Sequence, residues 1–128
     1  MKETSRHSKF ARKFHLGLRT ARISEIGSMQ LEFQYLSDVT GNTTYAEKAL
    51  AIFEHLAAVP KQLPGLIGQL VYLGRNKINS HNHRYSLGAE ADSYYEYLLK
   101  LWISTGLEKY RVMYDEAADV STRGLVEV

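Results

Sequence analysis

Tyr85-Ser86-Leu87-Gly88-Ala89-Glu90-Ala91-Asp92-Ser93-Tyr94-Tyr95-Glu96-Tyr97-Leu98-Leu99-Lys100 sets acids and tyrosines at the mouth of an apolar helix. Counted from Asp92, Glu96 falls one turn on along the same helical face. Tyr95, Leu98, Leu99 and Trp102 take the i, i+3, i+4 and i+7 positions of a buried stripe, so the acids stand off the core side. The spacing predicts a helix that starts between Ser86 and Asp92, runs to Thr105 and is stopped by Gly106. Acids beside tyrosines at such a mouth are the parts from which a sugar site is built.

Outward from this helix the pattern stays helical. Ile26, Met29, Phe33 and Leu36 follow helical spacing within 22–40, with Gly41 as the stop. Thr44 with Glu47 three residues on reads as a capping box, followed by a stripe of Ala49, Ile52, Phe53 and Leu56 that ends before Pro60. A fourth helix carries Tyr110, Met113, Tyr114 and Ala117 on one face. Between 63 and 85 the periodicity fails among Pro64-Gly65, Gly68, Gly74 and a polar run, which predicts a long loop with a short hairpin. Thr40-Gly41 before Tyr45 and Thr105-Gly106 before Tyr110 are the same signal repeated at one common offset. The expected architecture is all-α, two or so αα-hairpins in tandem, with a period too long for short helical solenoids and suited to an α/α toroid.

The bulk composition is that of a globular chain: 128 residues, 45% apolar, 23% charged, net charge +2. With no cysteine, disulfides and thiolate metal sites are excluded. No run of about 18 apolar residues and no signal-type apolar core after Met1 is present. Residues 1–22 hold seven lysines and arginines against Glu3 alone, whereas the remainder has nine against thirteen acids. This basic end reads as a nucleic-acid-binding arm, as a targeting segment with Phe10, Phe14 and Leu18 at i, i+4 and i+8, or as an unstructured end. Nothing after Arg22 supports nucleic-acid binding.

The segment Gly88-Ala89-Glu90-Ala91-Asp92-Ser93-Tyr94-Tyr95-Glu96-Tyr97, with Ser24-Glu25-Ile26-Gly27-Ser28-Met29-Gln30-Leu31-Glu32-Phe33 upstream, closely resembles the class I α-1,2-mannosidases, glycoside hydrolase family 47. The likeness covers roughly residues 21–118 and divides the chain into a divergent basic segment, 1–20, and a partial barrel domain, 21–128. It implies part of an (α/α)7 barrel with the active site along its axis. It also implies removal of terminal α-1,2-linked mannose from high-mannose N-glycans on glycoproteins, with inversion and a bound Ca²⁺. Inversion uses two carboxyls roughly 6.5–9.5 Å apart, one protonating the leaving oxygen and one activating water.

By the same resemblance Asp92 falls on the catalytic aspartate and Glu25 on a glutamate lining the sugar pocket, while Glu96 belongs to the motif and orders the site. Glu90 stands where the endoplasmic-reticulum type resembles this segment with Arg and the Golgi type with Leu, a position that selects the glycan branch. The family's proton-donating glutamate, its Arg-Pro-Glu glutamate and its Ca²⁺-binding threonine have no counterpart in these residues, so the chain reads as a fragment with no activity expected alone. The implied location is the lumen of the endoplasmic reticulum or Golgi, with any membrane anchor outside the chain; nothing in the residues speaks to oligomeric state.

Read without the resemblance, Asp92 is a helix cap, Glu25 a first-turn helix acid, and Glu32 structural. Among the aromatics only Tyr94 is a candidate sugar platform. His81 and His83 make too few ligands for a transition metal, and no dense Ca²⁺-ligand loop occurs, so no metal ligand is assigned. Asn42-Thr43-Thr44 is a glycosylation sequon that overlaps a helix cap. The competing functional class is a non-catalytic, mannosidase-like glycan-binding helical module.

Overall fold

The computed structural model describes residues 19–75, 77–81 and 84–123. The basic-arm readings that rest on Phe10, Phe14 and Leu18, and the pairing of His81 with His83, lie outside the described residues. In chain order the elements are β1 (Thr20–Arg22), α1 (Ile23–Ile26), α2 (Gln30–Thr40), α3 (Thr44–Ala57), β2 (Leu70–Leu73), β3 (Ile78–Ser80), α4 (Asp92–Thr105) and α5 (Glu108–Thr122). The helical hairpins α2–α3 and α4–α5 dominate, as the repeated pattern predicts, and they account for the all-α character.

The two turns match in detail. Gly41 and Gly106 adopt left-handed φ angles of 71° and 70°, and each N–H caps a helical carbonyl, of Ser37 and Trp102 respectively. The preceding threonines repeat the same bonds: Thr40 Oγ1 donates to Leu36 O and Thr105 Oγ1 to Leu101 O, both at 2.6 Å. The next segments then donate back to those hydroxyls, from Asn42 N and Leu107 N.

Three features depart from the expected pattern. The first helix is broken: α1 is one turn, and Gly27 lies so close to Tyr94 that an added Cβ would sit 2.6 Å from Tyr94 Cδ2. On α2 the inward positions are Gln30 and Ser37 rather than Phe33 and Leu36, which are exposed together with Tyr35 and Val39. Both buried polar groups are satisfied, which removes the penalty for placing them there. Gln30 Nε2 donates to Ile26 O and Ala49 O, and Ser37 Oγ accepts Ala46 N–H. The start of α3 is organised by Asn42 Oδ1 accepting Thr44 N–H at 3.1 Å, instead of a Thr44–Glu47 box.

The expected hairpin in the long loop is β2–β3, and β1 joins it to give an antiparallel sheet of order β1-β2-β3. Its register pairs Thr20 with Tyr72 and Val71 with Ser80. Where β1 ends, the chain turns into α1, and Ile23 N donates to Gln69 O just before β2.

The core lies between the hairpins. Phe53 stacks on Tyr94 at 5.4 Å and meets the edge of Tyr110 at 5.8 Å, inside a shell of Ile23, Leu56, Val71, Leu98 and Leu101. The buried face of α4 is thus Tyr94, Tyr95, Leu98 and Leu101, with Leu99 and Trp102 only half-buried. Tyr94 is a core residue and not a sugar platform.

Burial pushes the Tyr94 phenol up, with the neighbouring Tyr95 adding to it. Burial likewise pushes Tyr95 to about 12. Both hold their protons more tightly folded than unfolded, where phenols titrate near 10.0. The stability this supplies is complete below that value and is lost as pH rises through about 12 for Tyr95. The Tyr95 share of the loss is about 3 kcal/mol. Far-ultraviolet circular dichroism is expected to show cooperative loss of helix over this window, coincident with phenolate absorbance. Full tyrosine ionisation with the helical signal intact would contradict this packing.

Candidate active site

The first turn of α4 is where the predicted acids gather, and local sequence explains its shape. Gly88 O accepts both Ala91 N–H and Asp92 N–H, at 3.1 and 2.8 Å, closing a turn that delivers Asp92 to the helix start. Within that turn Glu90 has φ 72°, the one positive-φ non-glycine among the described residues. For a glutamate this conformation costs of the order of 1 kcal/mol or more. It is held from outside: Glu90 O accepts Ser24 N–H at 3.2 Å, and Gln69 Nε2 donates to Ala89 O at 3.2 Å.

Asp92 is exposed, its Oδ1 accepting the N–H of Ser93 at 2.9 Å. It faces a cleft of about 290 Å³ shared with Glu96 and walled by Leu87, Tyr95, Leu99, Tyr114, Ala117 and Ala118. The aligned amides of a helix N-terminus favour negative charge at this point. Glu96, one turn on, pairs with Lys100 at 2.7 Å. A carboxylate at an open, helix-polarised edge, above a largely apolar cleft, has the form of a base or charge stabiliser for a neutral polyol.

Glu25 and Glu90 lie together on another side of the same turn. Arg22, the last residue of β1, donates from Nε to Glu90 Oε1 at 2.9 Å and from Nη1 to Glu25 Oε1 at 3.5 Å. These bonds, Glu90 first, hold the guanidinium above its ordinary pKa. Ser93 Oγ donates to Ser24 O at 3.0 Å and ties the α1 corner to α4. Farther along, Tyr97 donates to Glu32 at 2.6 Å, and this bond to a carboxylate pushes the phenol up to about 12. Glu32 is therefore an inter-hairpin tie, in keeping with its structural reading.

All four acids singled out by sequence surround the start of α4, in two groups: Asp92 with Glu96 at the cleft, and Glu25 with Glu90 around Arg22. Arg22, Ser93 and Gln69 were not among the sequence candidates.

No group of three or more His, Cys, Asp or Glu capable of holding a metal occurs among the described residues. Ca²⁺ takes roughly six to eight oxygen ligands, and Glu25, Glu90 and Glu96 are all committed to cations of the chain. The described residues do not by themselves fit a Ca²⁺ site.

Residues 2–127 match the family model described as Glycosyl hydrolase family 47. Mannosyl-oligosaccharide α-1,2-mannosidase IA of Spodoptera frugiperda is 38% identical over 123 residues, which cover 94% of this chain and 18% of that protein. The endoplasmic reticulum mannosyl-oligosaccharide 1,2-α-mannosidase of Homo sapiens is 34% identical over 93 residues, 73% of this chain and 13% of that protein. The solved α-1,2-mannosidase from Trichoderma reesei superposes with a TM-score of 0.72 at 33% identity, over 83% of this chain and 22% of that one. The chain thus spans less than a quarter of the length of each of these three proteins.

Proposed function

The chain belongs to glycosyl hydrolase family 47, and from that membership we propose that it is a segment of an α-1,2-mannosidase catalytic domain acting on mannosyl-oligosaccharides, with Asp92 as the catalytic carboxylate it contributes. The observation that carries this reading is the exposed Asp92 carboxylate at the start of α4, above a cleft large enough for part of a sugar ring. Glu25 and Glu90 present carboxylates suited to accepting sugar hydroxyls, and Glu96 orders the cleft edge. The substrate class is terminal α-1,2-linked mannose on high-mannose N-glycans, and the compartment is the lumen of the secretory pathway. No helix among the described residues is long and apolar enough to cross a membrane.

The reaction proposed is inverting hydrolysis. In it a carboxylate draws a proton from water as that water attacks the anomeric carbon, and a second acid protonates the departing oxygen. Asp92 suits the anionic side of this pair because the helix N-terminus favours its charge. The partner acid is supplied by residues outside this chain. Calcium dependence is proposed for the whole domain with ligands drawn from elsewhere, and no step here runs through the ion. The 128 residues alone are expected to release no mannose.

Segment exchange tests this. Residues 20–123 replace the matching part of the Trichoderma reesei α-1,2-mannosidase, and mannose release from α-1,2-linked mannobiose is measured with Ca²⁺ and with chelator. The exchanged enzyme is expected to hydrolyse the disaccharide, with Ca²⁺ required. A folded but inactive exchange enzyme, together with sugar binding by the isolated chain, would favour the non-catalytic glycan-binding module instead.

A further inference from the structure

We propose that Arg22 is a positioning residue for the sugar-facing carboxylates, its guanidinium clamping Glu25 and Glu90 into one fixed arrangement across the junction of the two hairpins. What those carboxylates receive rests on the glycan reading above; the clamp itself rests on geometry. Arg22 leaves β1 pointing at both acids, 2.9 Å from Glu90 and 3.5 Å from Glu25, and its own backbone N–H lies 3.5 Å from the second oxygen of Glu25. Two carboxylates from separate elements would otherwise repel, and each would turn to water. A planar guanidinium has donors on several edges in fixed directions and so sets the orientation of both carboxylates, whereas an ammonium's three donors rotate freely and impose none.

The surroundings point the same way. Glu90 is held in a left-handed conformation that a glutamate rarely adopts, and the Ser24 to Glu90 backbone bond and the Ser93 to Ser24 bond lock the same corner. Exposed ion pairs contribute little to stability, typically about 0–1 kcal/mol. A strained turn retained beside a three-membered, half-exposed ionic cluster is therefore better explained by the orientation it gives the carboxylates than by stability.

The test uses the whole chain in solution, with α-1,2-linked mannobiose as probe and nuclear magnetic resonance as readout. In the parent chain the Arg22 Nε–H is expected to be protected from exchange with water. Arg22→Met is expected to weaken mannobiose binding about fivefold or more, as loss of charge-assisted bonds would, with the thermal midpoint held. Arg22→Lys recovers only part of that loss. Combining Arg22→Met with Glu90→Gln is expected to cost clearly less than the sum of the two single losses, since both break one unit. Unchanged affinity in Arg22→Met, or additive losses in the double variant, overturns the proposal. If the parent chain binds no mannobiose, the guanidinium resonance decides the clamp, and the segment-exchanged enzyme decides the glycan reading separately: protection lost in Glu90→Gln supports the clamp, and protection unaffected refutes it.

Discussion

Asp92→Asn in the segment-exchanged mannosidase is expected to lower turnover by roughly 10²–10⁴-fold, the usual contribution of a positioned proton-transfer group, while leaving the fold intact. The substitution keeps shape and an oxygen able to accept the Ser93 N–H. It removes the charge and the basicity. Asp92 is exposed and makes no ion pair among the described residues, so the stability cost is confined to the helix-terminus charge effect, about 0.3–1 kcal/mol. Glu96→Gln is the matched control: it breaks only an exposed i,i+4 pair with Lys100, worth about 0.3–0.5 kcal/mol. Its expected effect on turnover is less than about tenfold, consistent with a group that orders the site rather than moving a proton. Steady-state kinetics on the two variants separates the roles, and near-normal turnover in Asp92→Asn would end the assignment.

Gly65→Ala is expected to destabilise the chain by about 3 kcal/mol or more, the upper part of the range for overpacked sites. Gly65 has φ +73°, and an added Cβ would fall within the backbone atoms of Glu116 and Ala117 on α5. Helix backbone cannot rotate aside as a side chain can, so the 63–67 loop has to move. That loop presents the Ile67 N–H to the Tyr95 hydroxyl at 3.3 Å, and Ala117 walls the Asp92 cleft, so the displacement reaches the site. Gly41→Ala supplies the comparison, since Gly41 has φ +71° with nothing within 4 Å of an added Cβ. It should cost only the left-handed penalty of about 1–2 kcal/mol. Urea denaturation of both variants reads the difference, and equal costs would show that the loop does not press on α5 as described.

Sequence patterns were most legible where one residue has one physical job. Gly41 and Gly106 were readable as helix stops because a left-handed cap favours glycine, and their common offset exposed the paired hairpins. Asp92 and Glu96 were readable as a pair off the core face because they are one turn apart. Elsewhere the signal was absent or misleading. The strand β1 is three residues long, and Tyr72, the partner of Thr20, lies beyond three intervening helices, so no local alternation marks it. On α2 the apolar stripe was read inward, yet Gln30 and Ser37 are buried; their hydrogen bonds make burial tolerable, and hydrophobic periodicity carries no information about such bonds. Helical spacing runs the α4 stripe through Leu99 and Trp102 where the core takes Leu101, because apolar residues on both sides of Lys100 leave the rotation of the helix open. By sequence Arg22 belongs with the basic end, and only the fold turns it toward Glu25 and Glu90.

The side-chain bonds that shape this region span long stretches of chain: Arg22 to Glu90, Ser93 to Ser24, and Tyr97 to Glu32. Each has one end in the first hairpin or its approach and the other in the second. The ties through Arg22, Ser24 and Glu32 therefore belong to neither hairpin alone, whereas Asp92, Glu96 and the cleft they share lie within the second. Separating the two hairpins breaks all three ties at once, so local opening at their junction uncouples Arg22 from Glu90, Ser93 from Ser24 and Tyr97 from Glu32 together.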